Sequence, residues 1–266
     1  MTAHGAPVVF IHGLWLHATS WNPWLPMFEE AGYRPFAASW PGEADTVEET
    51  RANPDSVADR GIVEITAHVA DLIDDLGHDT IVVGHSLGGM IAQKLLGQDK
   101  CAAAIAIDAA QIKGVLPLPL STLRATLPVF KNLSNKHRSV SLSANEFRYS
   151  FGNALSLDES DALHEKWTIP SPGKPLFEAA SANFATDSPA AVATLNIDRG
   201  PLLLIMGGKD HTVPEAITKS TFKQYRDSPA ATDLLEFGDR GHSLTVDSGW
   251  HDVAGACLSW LDKQGR

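Results

Sequence analysis

The stretch TIVVGHSLGGM (residues 80–90) places a serine between two glycines at the end of a β-branched apolar run. Residues 81–83 favour a strand, and the residues after the glycines are compatible with a helix. A sharp strand-to-helix turn holds a serine hydroxyl clear of the surface, in a strained conformation that crowds its neighbours. Gly84 and Gly88 would relieve that crowding. The stretch therefore predicts that Ser86 is a nucleophile, the alternative being a purely structural turn.

Short apolar runs bounded by Gly, Asp or Pro predict six strands in the chain. They cover residues 7–13, 34–40, 80–86, 102–108, 201–208 and 232–238. Runs that are apolar on both faces are typical of parallel sheets covered by helices. Helical patterns lie between them at 19–31, 61–76, 87–98, 214–226 and 249–263, whereas residues 41–60 read as an acidic, polar loop. This alternation predicts an α/β fold with a mostly parallel sheet of about six strands flanked by helices.

One segment, residues 112–185, interrupts the alternation. It contains no good strand pattern and reads as helices broken by prolines. Two Ser-x-x-Glu pairs in it have the spacing of capping boxes: Ser143 with Glu146, and Ser156 with Glu159. The chain then returns to a buried strand, which favours a helical cap inserted into one domain over a separate small domain. The predicted division is a core formed by 1–111 and 186–266 and a cap formed by 112–185.

A neutral serine hydroxyl needs a general base, and a base of this kind needs an orienting acid. His242 and Asp210 each follow a predicted strand in the C-terminal part of the chain. Loops at the carboxyl ends of parallel strands share one edge of a sheet, so both side chains can converge on Ser86. Asp108, at the end of the preceding strand, remains an alternative acid.

An acyl-transfer site also needs two donors for the oxygen that becomes negative. The backbone N–H of Leu87 directly follows the nucleophile, and the loop after the first strand offers the N–H of Leu14. Trp15 and His85 adjoin these positions and are expected to contact the substrate, with simple packing as the alternative for both.

With these residues in place, the chain resembles the α/β-hydrolase superfamily over nearly its whole length. The resemblance rests on His12-Gly13, GHSLGG (84–89), Gly208-Lys209-Asp210 and Gly241-His242. The early start at the His-Gly strand is similar to the compact branch of plant esterases and hydroxynitrile lyases. The resemblance implies a Ser86–His242–Asp210 triad, an oxyanion hole formed by Leu14 and Leu87, and a helical cap between the fourth and fifth strands.

Two departures from related enzymes narrow the chemistry that the resemblance implies. Hydroxynitrile lyases of the compact branch carry a cap lysine, and no motif places Lys166 or Lys174 at the site. Epoxide hydrolases and haloalkane dehalogenases have an aspartate where Ser86 stands.

The expected function is a carboxylesterase-like serine hydrolase that cleaves esters or thioesters of small to medium, apolar acyl groups through an acyl-enzyme on Ser86. Cofactor-free perhydrolases or haloperoxidases, C–C hydrolases and lyases use the same triad and form the first alternative. The second alternative is not an enzyme: a ligand-binding receptor on a hydrolase scaffold.

Composition limits the expected partners and cofactors. The chain has 266 residues and a formal net charge of −11, which argues against nucleic acid or an anionic membrane as the main partner. Two cysteines form neither a disulfide framework nor a metal cluster, and no His/Asp/Glu group has ligand spacing. No signal-peptide pattern is visible. We therefore expect a cytoplasmic protein with a small-molecule substrate, no cofactor and no metal; nothing in the sequence indicates an oligomeric state.

Overall fold

The computed structural model describes residues 5–266 and contains eight strands within them. The strands are β1 (Pro7–Ile11), β2 (Arg34–Ala38), β3 (Ile81–His85), β4 (Ala103–Ile107), β5 (Ser139–Val140), β6 (Ser171–Pro172), β7 (Leu202–Gly207) and β8 (Thr232–Phe237). The α-helices are α1 (Trp24–Glu30), α2 (Val47–Ala52), α3 (Ile62–Leu76), α4 (Leu87–Gly97), α5 (Leu120–Phe130), α6 (Ala144–Ser150), α7 (Leu157–Trp167), α8 (Lys174–Ala180), α9 (Glu215–Gln224) and α10 (Trp250–Lys263). Short 3₁₀ segments occupy Ala18–Trp21, Pro54–Val57 and Leu133–His137.

Six strands form one sheet in the order β2-β1-β3-β4-β7-β8, and every neighbouring pair is parallel. Within it, Val83 of β3 pairs with Phe10 of β1 on one side and Ile105 of β4 on the other. The predicted α/β fold with a parallel sheet of six strands flanked by helices is confirmed. Because all six strands run the same way, the loops that follow β3, β7 and β8 emerge at one edge.

Helices cover both faces of the sheet. Successive side chains of a strand point to opposite faces, so they pack against different helices. Val8 and Phe10 of β1 belong to a core shared with Trp24 of α1 and with α10. Val9 and Ile11 point the other way, into a core shared with α3 and α4. The four inner strands, β1, β3, β4 and β7, are therefore buried on both sides, as their apolar runs predicted, whereas the edge strands β2 and β8 are partly exposed.

The structure corrects two expectations. Residues 41–60 are not a continuous loop, because α2 forms there, and the Thr46 side chain caps it by accepting a hydrogen bond from the Glu49 N–H. The segment 112–185 contains α5–α8, but it also contains the antiparallel pair of β5 and β6. Each of those strands has two residues, which is too short to produce an apolar run.

The two predicted capping boxes differ in the structure. At α6, the Ser143 side chain accepts from the Glu146 N–H and the Glu146 carboxylate accepts from the Ser143 N–H, so this box is complete. At α7, Ser156 accepts from the Glu159 N–H, whereas the Glu159 carboxylate accepts from the N–H of Ser248. The second pair caps its helix and also connects it to the chain near α10.

Candidate active site

Ser86 lies between β3 and α4 with a backbone φ of 54° and ψ of −117°, which is a strained conformation for a residue with a side chain. The turn is tight enough to exclude side chains on both flanking glycines. A Cβ on Gly84 would overlap the carbonyl group of Gly88, and a Cβ on Gly88 would overlap the carbonyl of Ile11. The glycine spacing therefore follows from the packing of the turn against β1 and α4.

In the predicted triad, His242 lies within hydrogen-bond distance of both Ser86 and Asp210. His242 Nε2 is 3.0 Å from Ser86 Oγ, and His242 Nδ1 is 2.6 Å from Asp210 Oδ2. The imidazole is fully buried, and Ser86 is 7% exposed. Because the Asp210 carboxylate accepts a hydrogen bond from Nδ1–H, Nε2 is unprotonated and can accept a hydrogen bond from the serine hydroxyl. This arrangement can remove the proton from Ser86 Oγ.

The carboxylate of Asp210 is held by backbone donors on its other side. Its Oδ1 accepts from the N–H of Thr212 at 2.6 Å and of Val213 at 2.8 Å. This Asx-type turn orients Oδ2 toward His242. The sequence DHTVP (210–214), with Asp followed by Thr and Pro, carries that turn signal, although the sequence interpretation did not use it.

Asp108, the alternative acid, also lies beside the histidine but farther away. Its Oδ2 is 4.0 Å from His242 Nδ1, and its Oδ1 accepts from the Gly207 N–H at 2.7 Å. The side chain is fully buried. Burial, followed by the charge of Asp210, raises the pKa of Asp108 well above its ordinary value. The geometry therefore favours Asp210 as the acid that orients His242, with Asp108 as a neighbouring carboxyl group.

His85 does not line the cavity above Ser86, so the expected substrate contact finds no support in its position. Its Nε2–H donates to the carbonyl oxygen of His242 at 2.9 Å, and its ring lies 4.7 Å from the ring of His242. Burial and the nearby His242 lower the pKa of His85 well below its ordinary value, so the ring is neutral. His85 therefore holds the backbone of His242 in place through this hydrogen bond.

Leu14 and Leu87, whose backbone N–H groups are expected to bind an oxyanion, both line the cavity next to Ser86, and neither N–H donates to another group within residues 5–266. Leu87 is the first residue of α4, where an N–H has no intrahelical acceptor. The loop that carries Leu14 passes close to the nucleophile, because a Cβ on Gly13 would come within 2.6 Å of the Ser86 Cβ. The oxyanion hole formed by these two N–H groups stays a prediction.

Segment 112–185 holds the loop of Leu14 in place. Trp15 has a φ of 66°, and its N–H donates to Ser171 Oγ at 2.5 Å. The indole Nε1–H of Trp15 donates to the carbonyl of Val140 at 3.0 Å, and the N–H of Ile169 donates to the carbonyl of Trp15 at 3.0 Å. Sequence reasoning missed Ser171 and Val140, since contacts across more than 120 residues leave no local signal.

A cavity of about 480 Å³ opens above Ser86. Trp15 lines it, together with apolar residues of α5, α8 and the loops before them. Gln111 and Thr122 also line it, and each has a buried side-chain oxygen, Oε1 and Oγ1 respectively, without a hydrogen-bond partner in residues 5–266. The cavity therefore suits a mostly apolar ligand that carries a few polar atoms.

The two cap lysines considered from the resemblance do not line this cavity. Lys166 lies over the Trp167 ring, and Lys174 Nζ interacts with Asp59. His85, Asp108 and His242 bring possible metal-ligand atoms within 4.8 Å of one another, but His242 Nδ1 already interacts with Asp210. The close approach of these three side chains is therefore explained by the hydrogen bonds around His242.

A model of the alpha/beta hydrolase family matches residues 8–256 of this chain. Epoxide hydrolase A of Mycobacterium tuberculosis is 32% identical over 108 residues, which is 39% of this chain and 32% of that protein. The aligned segment thus spans about a third of the relative's length.

Solved structures resemble the whole chain at lower identity. The monoacylglycerol lipase of Paleococcus ferrophilus has a TM-score of 0.68 at 20% identity, covering 98% of this chain and 96% of that one. A methylesterase of Arabidopsis has a TM-score of 0.66 at 18% identity, covering 97% and 99%. At these identities the likeness establishes a shared fold.

Proposed function

The chain belongs to the alpha/beta hydrolase family, and from that premise we propose that it is a serine hydrolase acting on carboxylic esters or thioesters through an acyl-enzyme on Ser86. The observation that carries the proposal is the chain of contacts from Ser86 Oγ to His242 Nε2, 3.0 Å, and from His242 Nδ1 to Asp210, 2.6 Å. A serine hydroxyl becomes an effective nucleophile when a positioned base accepts its proton.

In the acylation half-reaction, Ser86 Oγ attacks the substrate carbonyl carbon while His242 Nε2 takes the hydroxyl proton. Asp210 stabilises the resulting imidazolium and keeps its Nδ1 proton directed at the carboxylate. The carbonyl oxygen gains negative charge and is bound by the N–H groups of Leu14 and Leu87. Such a donor typically contributes about 3–4 kcal/mol to the stability of the transition state.

The intermediate then collapses, and the same histidine serves both remaining proton transfers. His242 returns the proton to the leaving alcohol or thiol as the bond to the acyl carbon breaks. In deacylation, His242 takes a proton from water, the water oxygen attacks the acyl carbon, and Ser86 leaves with that proton restored. The products are a carboxylic acid and an alcohol or thiol.

The cavity supports small to medium, apolar acyl groups as the substrate class. Its volume of about 480 Å³ is in the range of small-molecule sites, and its lining is mostly apolar. Serine at the nucleophile position supports acyl transfer rather than the epoxide opening named for the mycobacterial relative, since enzymes of that class resemble this chain but use an aspartate there.

A decisive experiment compares the wild-type chain with Ser86→Ala on p-nitrophenyl esters of increasing acyl length. We expect Ser86→Ala to remove nearly all turnover, and a fluorophosphonate to label wild type at Ser86, as located by mass spectrometry of the adduct. Ser228→Ala, in the loop between α9 and β8, is the matched control and should retain both activity and labelling.

Three other results would contradict the proposal. Ester hydrolysis by Ser86→Ala would show that another group performs the chemistry. Halogenation of monochlorodimedone with hydrogen peroxide, faster than any ester hydrolysis, would indicate the perhydrolase alternative. An unlabelled Ser86 together with tight binding of an unreacted ligand would indicate a receptor.

A further inference from the structure

Large apolar side chains are exposed around the mouth of the cavity. They are Leu116, Leu118, Leu120, Leu123, Leu127 and Phe184, which we call the cap lip. Leu120 is 83% exposed and Phe184 92%. Four of the six, namely Leu116, Leu118, Leu123 and Phe184, also line the cavity above Ser86, so the lip surrounds its opening.

Helix α5 contributes an outward stripe to the cap lip. Leu120, Leu123 and Leu127 recur at the spacing of one helix face, and all three are exposed. On the opposite side of the same helix, Ala125 and Val129 are buried. Helix α5 is therefore apolar on its inner face and also on its outer face. A surface helix whose outer face meets only water is usually polar on that face.

The charge around this segment is opposite to that of the whole chain. Between residues 109 and 145 there is no Asp or Glu, although the chain has a net charge of −11. The same segment has five basic side chains: Lys113, Arg124, Lys131, Lys136 and Arg138. The lip thus lies in a positively charged region of an acidic protein.

The contacts of these charges leave most of the positive charge unneutralised. Arg124, between the exposed leucines of α5, lies over the Tyr149 ring, 4.0 Å from its centroid. Lys131 is 3.8 Å from Glu146, and Lys113 donates to backbone carbonyls of the loop that carries Phe184. The acids on elements next to the lip are Glu146, Asp187, which lies three residues after Phe184, and Glu178 of α8, whose carboxylate accepts from the N–H of Ile62.

We propose that the cap lip docks onto an anionic lipid surface, with its leucines and Phe184 in the interfacial region and the basic side chains near the headgroups. Exposed leucines and phenylalanine next to Lys and Arg, on an amphipathic helix, are the pattern of interfacial membrane contacts. The composition argues against a protein partner, because protein interfaces concentrate binding energy in Trp, Tyr and Arg, and leucine is under-represented there.

Docking in this orientation would place the cavity mouth against the lipid. An apolar ester dissolved in the membrane could then reach Ser86 without crossing bulk water, a consequence that rests on the proposed function. The docking itself does not depend on the chemistry of Ser86, so it is measured by binding and not by turnover.

The test is co-sedimentation of the full chain with vesicles of phosphatidylcholine alone or mixed with phosphatidylglycerol. We expect binding to the mixed vesicles, at least about tenfold weaker binding to the neutral ones, and loss of binding at high salt. Leu120→Ser/Leu127→Ser, whose sites do not line the cavity, should weaken binding at least about tenfold and retain hydrolysis of soluble esters. Leu157→Ser/Ile197→Ser, exposed elsewhere, should bind as wild type.

Wild-type chain that stays in the supernatant with anionic vesicles would overturn the proposal, as would equal binding by Leu120→Ser/Leu127→Ser. A dimer by analytical ultracentrifugation that this double variant dissociates, without vesicle binding, would assign the lip to a second copy instead. Repeating the assay with Ser86→Ala separates the two proposals: this variant should bind vesicles normally even though it has no esterase activity.

Discussion

Two buried carboxyl groups, those of Asp108 and Asp210, lie next to His242. Their environments stabilise a negative charge to different extents. The Asp210 carboxylate has the shorter contact, 2.6 Å against 4.0 Å, and it accepts two backbone N–H bonds that stabilise negative charge. Asp108 has one such bond, and its pKa is raised well above the ordinary value by burial and by Asp210. We therefore assign to Asp210 the role of the carboxylate that orients His242, and we infer that Asp108 keeps its proton to a higher pH than an ordinary aspartate.

This assignment predicts unequal effects of isosteric substitutions on catalysis. Asp210→Asn should lower kcat by about 10³–10⁴-fold, because an amide has no negative charge to stabilise the imidazolium and its NH2 group can donate to Nδ1, which favours the wrong tautomer. Asp108→Asn should lower kcat by less than about tenfold, since a protonated carboxyl group and an amide both lack charge. Steady-state kinetics on one ester measures both. Equal losses would contradict the assignment, and a larger loss in Asp108→Asn than in Asp210→Asn would identify Asp108 as the orienting acid.

The same carboxyl group predicts a pH dependence of stability. The folded pKa of Asp108 lies above the unfolded value of about 3.9, so folding takes up a proton between those two pH values. Its favourable contribution is complete below the unfolded pKa and is lost as pH rises through the folded pKa. Asp108→Asn removes this loss, so the difference in melting temperature between variant and wild type should shift in favour of the variant as pH rises above the unfolded pKa.

The exposed acid Asp187 provides the control for that measurement. Asp187→Asn should leave the pH dependence of the melting temperature as in wild type. Parallel curves for wild type and Asp108→Asn would show that Asp108 has the same protonation in the folded and unfolded chains, contrary to the assignment.

The residues of the site differ in how much of their position the sequence could reveal. Gly84, Ser86 and Gly88 form a local turn, and their spacing carries its geometry. Asp210 and His242 could be selected because each follows a strand whose carboxyl end meets the same edge. Contacts between distant segments leave no local signal, and the hydrogen bond from His85 to the backbone of His242 depends on packing that no short motif records.

Among the elements, the buried strands were the most predictable, because strands covered on both faces need uninterrupted apolar runs. Helix α2 was missed since it spans only six residues and lies in an acidic stretch, where composition suggested a loop. Its capping pair, Thr46 with Glu49, has the same Ser/Thr-x-x-Glu spacing as the boxes recognised further along. A short helix is therefore better predicted from its cap than from its periodicity.

The complete capping box at α6 predicts a measurable loss of stability. Ser143→Ala removes the acceptor for the Glu146 N–H and should lower the free energy of unfolding by about 1 kcal/mol. Denaturant unfolding of wild type and variant measures it. Ser156→Ala at α7 is the comparison, and it should cost a similar amount because its cap bond is the same. A change below a few tenths of a kcal/mol would show that α6 is held by its packing alone.

At the scale of the whole molecule, average charge conceals the distribution that matters for partners. A net charge of −11 argued against anionic surfaces, yet the segment 109–145 has only basic charges and contains five of the six exposed side chains of the cap lip. Electrostatic attraction to a surface falls off within about 10 Å at ordinary ionic strength, so the nearest charges decide docking. The composition of the full chain cannot report such a local reversal.

The predicted cap also contacts the loop that carries Leu14, which we call the oxyanion loop, and we expect this contact to link the cap to catalysis. Ser171 Oγ accepts from the N–H of Trp15, a residue with positive φ next to Leu14. Ser171→Ala leaves that buried N–H without a partner, at a cost of about 1–3 kcal/mol, which the loop can reduce by moving. Movement would displace the Leu14 N–H from the developing oxyanion, so the change should act on the transition state more than on substrate binding.

We therefore expect Ser171→Ala to lower kcat by about tenfold or more with little change in KM, measured with a soluble ester. Ser143→Ala is the matched control, because it removes a serine hydroxyl from the same segment and lowers stability without touching the loop. If both variants lower stability alike but only Ser171→Ala lowers kcat, the hydroxyl acts through the position of the Leu14 N–H. An unchanged kcat in Ser171→Ala would show that the core holds the oxyanion loop without help from the cap.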